Sequence, residues 1–388
     1  MLLQLYLHFP FCRRKCLYCD FCSRPAAEEQ VRAYCAALEK EICRMGERYR
    51  DAQVSTVFLG GGTPSIVPPD AMAGVMKALH EAFAFDPEVE FTSEANPGTL
   101  TEGWLDTLLS AGMNRLSLGV QAAQDELLGR IGRIHTFRQA KQAVEMARRA
   151  GIRNLNLDVM SGLPEQTLSM YLDSLQAITG LAPEHVSAYS LILEEGTPLH
   201  AAVTAGRETL PDEETTALMY EQGAAWLEKA GYARYEISNF ARPGYACRHN
   251  LGYWQGAWYL GLGVAAHSML PPEQEGAACM RRANTSDVEA YIARVEQGLS
   301  PVESAENISP AEARFETLML GLRTTAGVGE KDYLRRHGQT LAEDYGSRLD
   351  RLAEEGLGQW TFDGQQRRFC LTNRGLEVQN EVLLRLMD

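Results

Sequence analysis

No run among the 388 residues approaches the roughly 18 apolar positions that a membrane-crossing helix needs. The opening, MLLQLYLHFPFCRRKC, has no basic segment ahead of its apolar stretch and no small-residue cleavage site after it. It does not read as a signal peptide, and a cytoplasmic location is expected. Positive charge is also scarce: 37 Lys and Arg face 51 Asp and Glu, for a net charge of −14. That balance argues against broad nucleic-acid binding, which uses a basic face to displace counterions. It leaves room for local basic patches such as Arg242 and Arg248 in ARPGYACRHN. Solenoid-type repeats and low-complexity tracts are absent too. Five of the nine cysteines (Cys35, Cys43, Cys247, Cys279 and Cys370) are solitary. In a reducing compartment they read as small buried apolar side chains, not as disulfide partners.

What is present is an ordinary globular composition, 45% apolar and 23% charged, long enough for one large domain plus a smaller one. Strand-like segments fall at 2–9, 54–62, 88–95, 115–121, 152–160, 185–193 and 233–240. Helical patterns lie between them. Ala140, Ala143, Val144, Ala147 and Ala150 repeat at three- and four-residue spacing before Gly151, and Thr167 stands as a cap before Leu168, Tyr171, Leu172 and Leu175. Strand–helix alternation of this kind indicates parallel pairing and an α/β fold, a full or partial (β/α) barrel, with functional groups at the C-terminal ends of the strands. From 245 to 285 the pattern breaks into Gly-, Trp- and Tyr-rich text. Beyond 300, two amphipathic helices (the first capped by Ser309) and a hairpin around Asp363-Gly364 suggest a small winged-helix-like module. The expected division is a core over 1–240, a connecting segment over 241–300 and the module over 301–388.

The remaining four cysteines sit within eleven positions, HFPFCRRKCLYCDFC, at Cys12, Cys16, Cys19 and Cys22. Three thiolates spaced C-x-x-x-C-x-x-C on one short loop suit three irons of a [4Fe–4S] cluster and leave the fourth iron for another ligand. A zinc ribbon is the weaker alternative, because it wants a second cysteine pair farther along the chain.

With Tyr18 just before the third cysteine, YLHFPFCRRKCLYCDF resembles the cysteine loop of the radical S-adenosylmethionine (SAM) superfamily. That resemblance implies a cluster on Cys12, Cys16 and Cys19 with SAM chelating the open iron. LGGGTPS is similar to the glycine-rich turn that approaches SAM, at Gly61, Gly62 and Thr63. Tyr6, Glu94, Gln121, Arg133 and Asp158 match SAM-contacting positions of the subfamily that includes oxygen-independent coproporphyrinogen III oxidase. Cys22 departs from the pattern and reads as a non-ligand thiol.

Within that subfamily the resemblance is strongest to the heme-chaperone branch, HemW, and covers nearly the whole chain. The cysteine loop begins at residue 12, without the longer extension associated with the oxidase. EISNFARPGYACRHNLGYWQG carries H-N-x-x-Y-W at His249, Asn250, Tyr253 and Trp254. The resemblance implies heme as a third cofactor and His249 as its contact, with Tyr253 and Trp254 stacking and Arg242 or Arg248 facing propionates. His267 and Cys247 are the alternative ligands. It also implies acceptor heme proteins as partners, membrane-bound respiratory ones among them, association with the membrane only through those acceptors, and a homodimer. No catalytic residue is assigned, and whether SAM is cleaved stays open. The alternative function is the oxidase, which decarboxylates propionate side chains by SAM radical chemistry. A tRNA- or protein-modifying radical enzyme is disfavoured by the acidic balance.

Overall fold

The first strand explains itself. In LLQLYLHF six of eight residues are buried, as in a strand covered on both faces. In the computed structural model, which describes residues 1–387, it is β1 (Leu2–Phe9). β2 (Gln53–Gly61), β3 (Ala84–Ala95), β4 (Arg115–Gln121), β5 (Asn154–Ser161) and β6 (His185–Ser190) follow in order, all parallel and each paired with its predecessor. Helices cross between them. The one over Phe137–Arg149 is fixed by a capping box in which the Thr136 side chain accepts from Gln139 N–H and Gln139 answers the Thr136 N–H. The expected Thr167 cap also forms, accepting from Met170 N–H.

The sheet has twelve strands and stays open, so the barrel is partial. Its order ends with β7 (Ala233–Arg234) beside β8 (Asn239–Ala241) at one edge. The other edge adds β9 (Tyr259–Leu262), β10 (His267–Leu270), β11 (Cys279–Asn284) and β12 (Val302–Ile308) outside β1. Two features differ from the sequence reading. The single strand expected at 233–240 is a tight antiparallel pair, Ala233 opposite Ala241, folded back where Ser238 N–H donates to the Glu236 carboxylate. The irregular text after 245 holds β9 to β11, and β12 follows it at Val302–Ile308. β9 runs parallel to β1, and the others continue antiparallel.

Beyond β12, helices over Pro310–Gly321, Glu330–His337 and Leu341–Glu354 pack on a three-stranded sheet of β13 (Val328–Gly329), β15 (Arg367–Leu371) and β14 (Gly358–Phe362). This unit has its own core, with Leu318, Tyr333, Leu349 and Phe369 at its centre. Its hairpin turns through four residues, since Phe362 faces Arg367 and Asp363 to Gln366 form the loop. No helix among the described residues is long and apolar enough to cross a membrane.

Candidate functional site

β1 ends at Phe9 and delivers the cysteine loop. Its base is closed by two backbone bonds, Cys12 N–H to Arg24 C=O and Arg24 N–H to Pro10 C=O. Its middle is held from outside, where Leu17 N–H donates to Ile131 C=O and Leu199 N–H donates to Leu17 C=O. The glycine turn after β2 closes on the same base. Gly62 N–H donates to Phe9 C=O at 2.7 Å and Thr63 N–H donates to Phe11 C=O at 2.8 Å. A β-carbon on Gly62 would stand 2.6 Å from the Phe11 carbonyl oxygen, so only glycine allows this approach.

Cys12, Cys16 and Cys19 line one cavity of about 430 Å³, together with Tyr18, Gly61, Gly62 and Thr63. Glu94, Gln121, Arg133 and Asp158 line it as well. Glu94, Gln121 and Asp158 sit in the C-terminal halves of β3, β4 and β5, where an α/β sheet gathers its ligands, and Arg133 comes from the connection after β4. Thr63 Oγ1 donates to the Cys12 sulfur at 3.3 Å, and Arg133 Nη1 donates to the Cys16 sulfur at 3.4 Å. Such donors stabilise thiolates. Burial pushes the Cys12 and Cys19 thiols up, and iron ligation would deprotonate them outright. Among the described residues no three His, Cys, Asp or Glu groups stand close enough to clasp a single metal ion. A cubane cluster asks something different, one thiolate on each of three irons, and the three lining thiols suit that demand.

Two carboxyls share the cavity. Burial, then the neighbouring Asp158, raises Glu94 to about 8. Burial raises Asp158 as well, against the amide of Asn156, which donates to it at 2.6 Å. Arg133 also donates to Asn96 Oδ1 and Gly119 C=O, while its Nε is buried without a partner. Gln121 adopts φ +73° and accepts from the Tyr189 hydroxyl at 3.0 Å.

Sequence reasoning missed Asn96, Arg115, Asn156, Ser187 and Tyr189, all on the cavity wall. Only Asn96 had a signal, two places after Glu94. Tyr6 does not reach the cavity. It lies behind Phe58, its hydroxyl 3.0 Å from His8 Nδ1. Cys22 turns elsewhere, its thiol 3.5 Å from Ser286 C=O.

His249 is likewise absent from the cavity wall. It is 1% exposed, and both ring nitrogens are engaged, Nδ1 with Thr56 Oγ1 at 2.7 Å and Nε2 with the Tyr253 hydroxyl at 3.0 Å. Burial, aided by Arg115, lowers it to about 3, so it is a neutral core histidine in this conformation. The Glu90 carboxylate accepts from the N–H groups of Arg248 and His249 and so fixes the start of a short helix, Arg248–Trp254. Cys247, pushed up to about 12 by burial, is no ready thiolate ligand, and His267 lies exposed on β10. Of the H-N-x-x-Y-W motif, Asn250 lines the 430 Å³ cavity, and Asn250, Tyr253 and Trp254 line a neighbouring one of about 550 Å³.

Residues 6–178 match the Radical SAM superfamily, and residues 308–378 match the HemN C-terminal domain. Heme chaperone HemW of Bacillus subtilis is 36% identical over 97% of this chain and 97% of its own. The chain belongs to the HemW family. Another relative is the mitochondrial radical S-adenosyl methionine domain-containing protein 1 of Bos taurus, 34% identical over 99% of this chain and 87% of that protein. Among solved structures, coproporphyrinogen III oxidase (HemN) from Escherichia coli superposes with a TM-score of 0.83. It covers 99% of this chain and 89% of that one at 23% identity, a likeness of fold.

Proposed function

We propose that this HemW-family chain is a heme chaperone that binds heme, passes it to acceptor heme proteins, and carries a [4Fe–4S] cluster and SAM in the 430 Å³ cavity. The observation that carries the cofactor reading is the convergence on one wall of three thiols, the Gly61–Thr63 turn, two acceptor carboxyls and the cation of Arg133. Cys12, Cys16 and Cys19 would hold the cluster. The turn, Glu94 and Asp158 would accept from the ammonium and hydroxyls of SAM, and Arg133 would face its carboxylate. Bound together, cluster and SAM supply the superfamily's capacity for reductive radical formation. The protein's share is to position the groups and exclude water. The chaperone reading rests on relatives of that name along the full chain. Acceptors at the membrane and a homodimer belong to the same reading.

The test uses anaerobically reconstituted protein. It is titrated with heme, mixed with an apo heme protein, and separately incubated with SAM, a strong reductant and coproporphyrinogen III. Stoichiometric heme binding, transfer and no decarboxylated product are expected. Product without stable heme binding would overturn the reading in favour of the oxidase.

A further inference from the structure

A second, larger cavity of about 830 Å³ opens between the segment after Cys247 and the C-terminal unit. Leu251, Trp254 and Trp258 line it from that segment, and Ala326 and Val328 line it from the C-terminal unit. Arg335, Arg336 and Arg368 also line it. The indole N–H of Trp254 is buried without a partner. One carboxylate, Asp332, lines the cavity, and it is already spent on Arg335 at 2.7 Å and Arg368 at 3.5 Å. Arg336 has no carboxylate within 4.0 Å among the described residues. It is exposed and donates only to the Gln255 carbonyl, at 3.0 Å. The approach is close enough that a β-carbon on Gly256 would collide with its guanidinium.

Indoles and aliphatic groups inside with an unpaired cation at the solvent edge describe the complement of one ligand class: a broad, flat apolar body bearing carboxylates at one rim. The volume lies at the upper end of ordinary ligand pockets, roughly 300–1,000 Å³, and so has room for a macrocycle. No lining residue is a histidine, cysteine or methionine, and the two lining tyrosines are engaged elsewhere, Tyr235 with His185 at 2.8 Å and Tyr333 as donor to Asp344 at 2.6 Å, so no usual axial ligand of heme iron stands free.

We infer that this cavity is the seat of the transferable heme, with the porphyrin face on Trp254 and Trp258 and a propionate at Arg336. The inference rests on the chaperone reading and deepens it. The site recognises the macrocycle and its carboxylates and leaves the iron without a strong protein ligand, which suits a cargo that must leave. Trp254 thus contributes to heme binding through its indole, while His249 of the same motif holds the helix.

The experiment is a titration, followed by tryptophan fluorescence, with heme, metal-free protoporphyrin IX and heme dimethyl ester, on wild type, Arg336→Gln and Arg336→Lys. Protoporphyrin IX should bind within about threefold of heme. Arg336→Gln should weaken both by about ten- to a hundredfold, the loss expected for a charge-assisted hydrogen bond, with partial recovery in Arg336→Lys. The dimethyl ester should bind wild type as weakly as heme binds Arg336→Gln. Heme binding with no protoporphyrin IX binding, or equal affinity for heme and its ester, would overturn the inference and leave the chaperone function standing. The second comparison needs no variant and so survives a misfolded one. Wild type that binds no heme at all would overturn the chaperone reading itself.

Discussion

Arg133 reaches across the cavity floor to Cys16, its Nη1 3.4 Å from the sulfur, while Nη2 holds the carbonyl of Gly119. One guanidinium thus ties the cysteine loop to the end of β4. The space for it exists because residue 119 has no side chain: a β-carbon there would stand 2.8 Å from Nη2 and 2.9 Å from the Gln121 amide. Gly119→Ala should therefore displace Arg133 and weaken SAM binding by about tenfold or more. Isothermal titration on reconstituted protein checks this. Unchanged affinity would remove Arg133 from the SAM site.

Cys12→Ala, Cys16→Ala and Cys19→Ala should each abolish the visible cluster absorbance and lower bound iron after reconstitution. Cys22→Ser should keep both, because its thiol already faces Ser286. Iron and sulfide analysis decides. Loss of the cluster in Cys22→Ser would make Cys22 a ligand and close the open iron to SAM.

Glu94 gives a pH signature. Its folded value near 8 lies above the ordinary carboxylate value of about 4.3, so between these limits the folded state binds the extra proton. The contribution is present at low pH and is lost as pH rises through 8. In cluster-free protein, the melting temperature of wild type should fall more steeply from pH 5 to pH 8.5 than that of Glu94→Gln. Parallel profiles would refute the burial argument.

His249→Ala should behave as a core mutation. It leaves the hydroxyls of Thr56 and Tyr253 without their partners, at a cost of about 2–4 kcal/mol in stability. The folded value near 3 is depressed, so its contribution is present above about 6.5 and is lost as pH falls toward 3. Urea unfolding at pH 7.5 and pH 4.5 reads both effects. Heme affinity in the folded variant should stay within about threefold of wild type. Loss of heme binding without loss of stability would restore His249 as the iron contact.

Much of the site is legible in the chain because buried parallel strands announce themselves. β1 is a near-continuous apolar run and β3 to β5 carry clear strand patterns, and polar residues in the C-terminal half of such a strand stand toward the ligand end of the sheet. Glu94, Gln121 and Asp158 are found that way, and the cysteine spacing stands apart from any fold. β9 to β12 are not legible, because YLGL and HSML are too short and too rich in glycine or polar residues to carry a period, and they form only against β1 and one another. Asn156 and Tyr189 escape for another reason. A polar residue inside a strand acquires meaning only when the neighbouring strand sets its register. His249 shows the converse. A motif names the residue but not the direction of its ring, which Thr56, 193 positions earlier, decides.

β1 lies between β2 and β9, so one of its edges waits for residues 259–262. During synthesis at roughly 5–20 residues per second, about 10–50 s separate the emergence of the cysteine loop from the arrival of the strand that completes its support. For that interval four thiols hang on a half-paired strand, open to oxidation and to stray metals. The seat of the loop is whole only once the chain's second half is made, and truncated products would leave the ribosome with the loop half supported.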